Sequence, residues 1–226
     1  MSNAGLAFER VAVVGIHTGD DSEIAAAADA LVAEGVDVST VTPAVMGAIS
    51  PVRTPPGIVA IVKRPATTAV QICQARNPFV VAAVDVQDPG NLGALLRAAE
   101  AGGATGAVVC GKSASPFSWK AVRGSMGTVL RLPVVGGMKA EALLKCAEKF
   151  GLRTIASVPR GGDSPDVIDW RGGAVLFVGG EGPGLDDNIV SAANARVTIP
   201  MQPPVESLNV AVAGGLLVYE ARRQRS

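Results

Sequence analysis

Three turns rich in glycine and polar residues follow or adjoin runs of β-branched residues: Asp88-Pro-Gly-Asn-Leu-Gly, Gly179-Gly-Glu-Gly-Pro-Gly, and Ile199-Pro-Met-Gln-Pro-Pro-Val-Glu-Ser-Leu-Asn209. In open parallel sheets, ligands sit beyond the carboxyl ends of the strands, so three such loops could share one pocket. The second loop does not read as a dinucleotide fingerprint: Gly184 follows Gly182 by two positions instead of three, and Pro183 removes an amide where pyrophosphate would be gripped. A nicotinamide oxidoreductase is therefore disfavoured. No Gly-Lys-Ser/Thr phosphate loop occurs, and Gly124-Ser125-Met126-Gly127 lacks the glycine two positions before the serine that a nucleophile elbow needs. His17 is the only histidine, which argues against a Ser-His-Asp triad near these loops. What remains is an amide (Asn91), an arginine (Arg97), a carboxylate (Glu181) and a Ser207-Leu208-Asn209 turn. With no cluster at metal-ligand spacing, no metal is expected. That inventory suits chemistry carried by a bound cofactor. Methyl transfer from a sulfonium is one such reaction, because the protein need only align donor and acceptor and stabilise charge on the nucleophile.

The chain has 226 residues, 48% of them apolar, and 20 basic residues balance 20 acidic ones. This excludes a highly charged disordered chain and a polybasic nucleic-acid coat. The most apolar segment, Leu208 to Tyr219, contains Asn209 and is bounded by Glu206 and Glu220, too short and too polar to span a bilayer. Cys73, Cys110 and Cys146 lie 37 and 36 residues apart, which suits neither a metal site nor a disulfide framework; a cytoplasmic location is expected. Met1 to Ala4 show no basic-then-apolar progression, so no signal peptide is expected. Aromatics, at 4%, are too few for an array of stacked bases on a sheet.

These loops must be held by regular elements. Val11 to Gly15, Val36 to Val41 and Gly57 to Lys63 read as strands, Asp20 to Glu34 as an Ala-rich helix and Pro43 to Ile49 as a short one. Residues 1–66 are thus expected to form a small α/β unit carrying four basic and seven acidic residues, a net −3 against +3 for the remainder. Residues 67–77 read as a linker. Over 78–226, strands are predicted at Phe79 to Val84, Ala107 to Cys110, Thr154 to Ser157, Ala174 to Val178 and Val197 to Ile199. Helices are predicted at Leu92 to Ala101, Lys139 to Phe150 and Asn209 to Arg223. Short strands without strict alternation indicate a parallel sheet covered on both faces, an α/β layered fold.

The motifs resemble those of the SpoU (TrmH-like) RNA 2′-O-ribose methyltransferases of the SPOUT superfamily. The first is similar to Asp88-Pro-Gly-Asn91-Leu-Gly93-Ala-Leu-Leu-Arg97, the second to Gly180-Glu181-Gly182-Pro183-Gly184-Leu185, and the third to Ile199-Pro200-Met201 followed by Val205-Glu-Ser207-Leu208-Asn209. Lys120-Ala-Val-Arg-Gly124-Ser125-Met-Gly127 resembles the segment between the first two. The likeness covers about residues 78 to 224. It implies a parallel sheet with a C-terminal trefoil knot, S-adenosylmethionine bound within that knot, and a homodimer that completes the site. Carried over, it implies catalytic roles for Asn91, Arg97, Glu181, Ser207 and Asn209. It places Val178, Gly179, Gly180, Glu181, Gly184, Ile199, Pro200, Met201, Ser207, Leu208 and Asn209 around the cofactor. The first unit resembles part of a ribosomal-protein-like RNA-binding domain, at Thr54-Pro-Pro-Gly57-Ile-Val-Ala60.

The expected activity is methylation of a ribose 2′-hydroxyl, in rRNA before tRNA because of that appended unit; a non-catalytic RNA-binding module with the same fold is the alternative. Arginine stays protonated, so Arg97 is expected to hold phosphate and stabilise negative charge on the 2′ oxygen, with Asn91 keeping it in place. Simpler roles stand beside these. Arg97 could be a solvated helix charge, Glu181 could cap the following helix, and Ser207 or Asn209 could cap the last one. RNA contact could fall on Lys112, Lys120 and Arg123 or on the tail Arg222, Arg223 and Arg225, which could equally be helix-end charges.

Overall fold

The computed structural model describes residues 6–15 and 22–226. Two compact units result, Met1–Pro65 and Ala66–Ser226. The first contains β1 (Phe8–Val14), α1 (Ser22–Ala33), β2 (Val38–Val41), α2 (Pro43–Ile49) and β3 (Ile58–Val62). β1 is central, parallel to β2 and antiparallel to β3. Val11, Val13, Ala28 and Leu31 form its small core. His17, Asp20 and Asp21 lie outside the described residues, so the expected start of the first helix is not among them.

In the second unit the order is α3 (Ala69–Cys73), β4 (Phe79–Val84), α4 (Pro89–Ala101), β5 (Gly106–Cys110), α5 (Trp119–Gly124), β6 (Val134–Met138), α6 (Ala140–Lys149), β7 (Arg153–Ser157), β8 (Ala174–Gly179), α7 (Asp187–Ala192), β9 (Ala195–Val197) and α8 (Val210–Arg225). Its six strands lie in the order β6-β5-β4-β8-β7-β9, every pair parallel. Along β4, Phe79, Val81 and Ala83 enter the core shared with α4 and α8, while Val80, Ala82 and Val84 enter the core shared with α3, α6 and α7. Because both faces are buried, β4 reads as an unbroken apolar run. From β4 the chain proceeds outward through β5 to β6, then crosses to β7 on the other side of β8. The reversal falls between β4 and β8, which lie side by side at the centre of the sheet.

Several expectations need correction. Residues 67–77 contain α3, capped by Thr68 and Gln71 in a reciprocal box and burying Ile72 and Cys73, so much of the expected linker belongs to the second core. Elements α5, β6 and α7 were not anticipated: α5 and α7 have only six residues each, and Gly136-Gly137 dilutes the strand signal of β6. The fourth helix begins at Pro89, because the Asp88 carboxylate caps it by accepting the Asn91 amide at 2.7 Å. Asn91 therefore sits in the first helical turn.

Close contacts at glycines set how the layers meet. A Cβ on Gly93 would lie 2.6 Å from the Ala121 carbonyl of α5, and one on Gly214 would lie 2.2 Å from Leu95, so α4 packs tightly on α5 and α8. The chain after β7 wraps β9. Val158 N donates to the Val197 carbonyl at 2.9 Å from one side, and Asp163 N donates to the Arg196 carbonyl at 2.9 Å from the other. Gly162 lies so near that a Cβ would approach backbone atoms of Arg196 and Val197 at 2.8 Å.

The end of α8 is pinned by Arg225. Its guanidinium donates to the carbonyls of Trp170 (2.8 Å), Asn77 (2.7 Å) and Gly172, and lies 5.3 Å from the centre of the Phe79 ring. Burial pulls this group below the ordinary arginine value, yet the carbonyls hold it charged. Trp170, fully buried, meets Phe79 edge-on at 6.2 Å. Arg225→Ala should lower stability by about 2 kcal/mol, the scale of losing charge-assisted hydrogen bonds. Thermal denaturation is expected to show a fall on the order of 5 °C, only partly recovered by Arg225→Lys, which cannot reproduce the fork.

Candidate active site

A cleft of about 370 Å³ opens at the carboxyl ends of β7, β8 and β9, a size suited to small-molecule binding. Its walls include Val178, Gly179, Gly180, Glu181, Gly184, Ile199, Met201, Ser207, Leu208 and Asn209. Pro200 instead borders an adjoining hollow with Arg160 and Glu206. Ser157 at the end of β7, Val158 and Pro159 after it, and Val210, Ala213 and Leu217 of α8 also line the cleft; these were missed in the sequence. A signal existed for the first group: Pro159-Arg-Gly-Gly162 is a turn-rich stretch directly after a strand. For Ala213 and Leu217 there was none, since they look like ordinary helix residues until α8 is folded back.

The loop after β8 is shaped by what its glycines exclude. Gly180 N donates to the Val84 carbonyl at 2.7 Å, and a Cβ at Gly180 would fall 2.0 Å from the Asp85 carbonyl oxygen. A Cβ at Gly179 would meet Gly184 and Leu185 at 2.6 Å, so the loop doubles back on itself. Gly182 and Gly184 adopt φ values of 102° and 78°, which L side chains rarely take. Asp85 itself has φ 56° at the end of β4, and its carboxylate accepts the Lys112 amide at 2.6 Å.

This fold-back delivers Glu181 to the first turn of α4. The Asn91 side-chain amide donates to Glu181 Oε1, and Asn209 Nδ2 donates to Asn91 Oδ1 at 3.0 Å. Asn209 Oδ1 in turn accepts the amides of Ala211 (2.9 Å) and Val212 (3.3 Å), capping α8. One residue from each predicted motif is thereby joined in a single hydrogen-bonded chain. Glu181 caps no helix: α7 starts at Asp187 behind Asp186. The amino ends of both α4 and α8 meet here, so partial positive charge converges on this edge of the cleft.

Arg97 is placed differently. It lies six residues beyond Asn91, about 9 Å along α4 and about 240° around it by helical geometry. It is exposed, does not line the cleft, and its side chain makes no hydrogen bond or ion pair with a described residue. Asn91 cannot keep it in place, because its amide is spent on Glu181 and Asn209. The tail arginines are also committed within the chain: Arg222 to the Ala101 carbonyl, Arg223 to Glu220, and Arg225 as described. No group of three or more potential metal ligands occurs among the described residues.

The SpoU rRNA Methylase family matches residues 78–219. An uncharacterized tRNA/rRNA methyltransferase from Synechocystis sp. is 36% identical over 201 residues, 88% of this chain and 72% of the relative. A 23S rRNA (guanosine-2′-O-)-methyltransferase from Xanthomonas campestris is 37% identical over 140 residues, 62% of this chain and 56% of its own length. The chain spans about half the length of several such curated relatives. The crystal structure of an AdoMet-bound rRNA methyltransferase from Sinorhizobium meliloti superposes with a TM-score of 0.84 at 30% identity, covering 98% of this chain and 82% of that one.

Gly180→Ala is expected to push the β8 loop off the end of β4. Binding of S-adenosylmethionine, followed by calorimetry, should weaken at least tenfold, while far-ultraviolet circular dichroism stays at the wild-type signal.

Proposed function

Because the chain belongs to the SpoU rRNA methylase family, we propose that it transfers a methyl group from S-adenosylmethionine to the ribose 2′-oxygen of a nucleotide in rRNA. The observation that carries this reading is the hydrogen-bonded chain Glu181–Asn91–Asn209, which gathers three distant motifs at the rim of one cleft.

The cleft fits the donor. Val178, Ile199, Met201, Leu208 and Leu217 offer apolar walls for an adenine ring, and the doubled-back loop 179–184 brings main-chain groups to the same space. When bound, S-adenosylmethionine supplies an electrophilic methyl carbon with a good leaving group. The residues of this chain then align the acceptor and stabilise the charge that grows on its oxygen. Asn91, Glu181 and Asn209 hold the rim in register, and the converging amino ends of α4 and α8 favour negative charge there. Ser207 lines the cleft beside them. Arg97 is assigned to phosphate binding and to stabilisation of the developing 2′-alkoxide.

Its outward direction from its own cleft supports an assembly of two copies in which each Arg97 serves a shared site. Helix α8 carries a stripe suited to that contact: Val212, Leu216 and Tyr219 are 51–54% exposed at i, i+4 and i+7, while Leu217, Val218 and Ala221 are buried on its other side. The wrapping of residues 158–163 around β9 supports the trefoil knot implied by the motifs. The acidic balance of the first unit supports placing the phosphate-binding surface on the second.

Incubation with labelled methyl donor and rRNA, followed by mapping of 2′-O-methyl positions, should give ribose methylation; label found on bases would refute the ribose assignment. Arg97→Lys should slow single-turnover methylation by about a hundredfold, the scale of removing a fixed charge stabiliser, without changing cofactor affinity. A rate within a few-fold of wild type would remove Arg97 from the chemistry. Leu216→Glu should convert a dimer to a monomer in sedimentation.

A further inference from the structure

We propose that the outward face of α5 and the turn after it form a grip for single-stranded RNA, in which Trp119 and Met126 pack against bases and Lys120 and Arg123 hold phosphates. This rests on the reading of the chain as an RNA methyltransferase and identifies where the acceptor strand lies. Trp119 and Arg123 share one face of α5 at i and i+4, Lys120 stands beside Trp119, and Met126 lies in the turn that follows the helix. Trp119 is 41% and Met126 66% exposed, and both cations are exposed. Neither Lys120 nor Arg123 forms an ion pair with a described residue, whereas Arg131, Arg153, Arg160, Arg171 and Arg223 all do.

The turn is held with care for an exposed methionine. Met126 has φ 50° and Gly127 φ 81°, consecutive left-handed residues, the first costly for a side chain of this size. Met126 N donates to the Arg123 carbonyl at 3.0 Å. Arg131, which reaches the Met126 carbonyl, is itself forked onto Glu100 of α4 at 2.9 and 2.8 Å. Hydrogen bonds from Arg131 and Thr128 hold the Glu100 carboxyl below its ordinary range, so the brace is charged at neutral pH. A strained turn braced to a core helix yet presenting its apolar side chain to solvent is the form expected of a contact surface.

The face also lies next to the site. A Cβ on Gly124, the last residue of α5, would stand 3.2 Å from the Gly90 carbonyl oxygen, in the same turn of α4 that carries Asn91. Lys112 extends the basic character along the strand ends, its amide fixed by Asp85. Two cations interleaved with the Trp119 ring and the Met126 thioether match a strand that offers phosphates and unstacked bases in turn. A second copy is the poorer occupant: like faces would set Lys120 and Arg123 against their own equivalents, a conflict absent from the wholly apolar stripe of α8.

The test uses the full chain and a fluorescein-labelled single-stranded rRNA fragment followed by anisotropy across a salt series. K120E/R123E should weaken binding more than tenfold and reduce the salt slope by about 1.4, two phosphate contacts at about 0.7 each. W119A should weaken binding about tenfold with the slope unchanged, the scale of one stacked base. S-adenosylmethionine affinity should stay at the wild-type value in both, and K120R/R123K should restore RNA binding. Variants that bind RNA as wild type does, in a chain that still methylates RNA, would overturn this surface while leaving the enzymatic reading intact. So would a W119A chain that changes oligomeric state with RNA affinity preserved. A wild-type chain that binds the cofactor but no RNA would overturn both readings.

Discussion

The hydrogen bond from Gly180 N to the Val84 carbonyl, at 2.7 Å, ties the loop after β8 to the end of β4. It requires glycine, since any Cβ there would stand 2.0 Å from the Asp85 carbonyl. Through this contact Glu181 reaches the first turn of α4, where Asn91 bridges it to Asn209. The cleft walls follow from the same closure, because Gly179 and Gly184 then fold against each other. A side chain at position 180 would therefore disturb the loop path and the polar rim together.

A second consequence is a division of labour among cations. The basic residues of the second unit look alike in sequence, but their surroundings differ. Arg225 is drawn into a cage of carbonyls and laid on Phe79, Arg222 satisfies the end of α4, and Arg131 braces α4 to the turn after α5. These charges spend their hydrogen-bonding capacity on the fold. The side chains of Arg97, Lys120 and Arg123 spend none on described residues, consistent with the phosphate contacts proposed for them.

Apolar surface is partitioned in the same way. The inner side of α8 buries Leu217, Val218 and Ala221 against the sheet and α4, and its outer side keeps Val212, Leu216 and Tyr219 exposed. The face of α5 mixes its apolar residues with cations instead. The proposed partners differ accordingly, a second copy for the apolar stripe and a nucleic acid for the mixed face, for reasons of charge.

Much was settled by the sequence. The fully apolar β4 announced a strand buried on both faces, and the Ser-Leu-Asn turn marked the start of the last helix because capping is local chemistry between residues two or three apart, whereas the cap at Asp88 was passed over and the fourth helix was expected to start at Leu92. Motif order carried the family, borne out by the match over residues 78–219. Other features were decided only by tertiary structure. The helix α3 inside the expected linker owes its place to packing of Ile72 and Cys73 on a distant strand layer. The cleft wall formed by Val158, Ala213 and Leu217 exists only once α8 returns to the sheet. That Asn91 binds Glu181 and Asn209 instead of Arg97 reflects separations of 90 and 118 residues along the chain. Local patterns encode dihedral preference and burial, whereas the partner of a polar side chain is chosen by which strand ends the fold brings together.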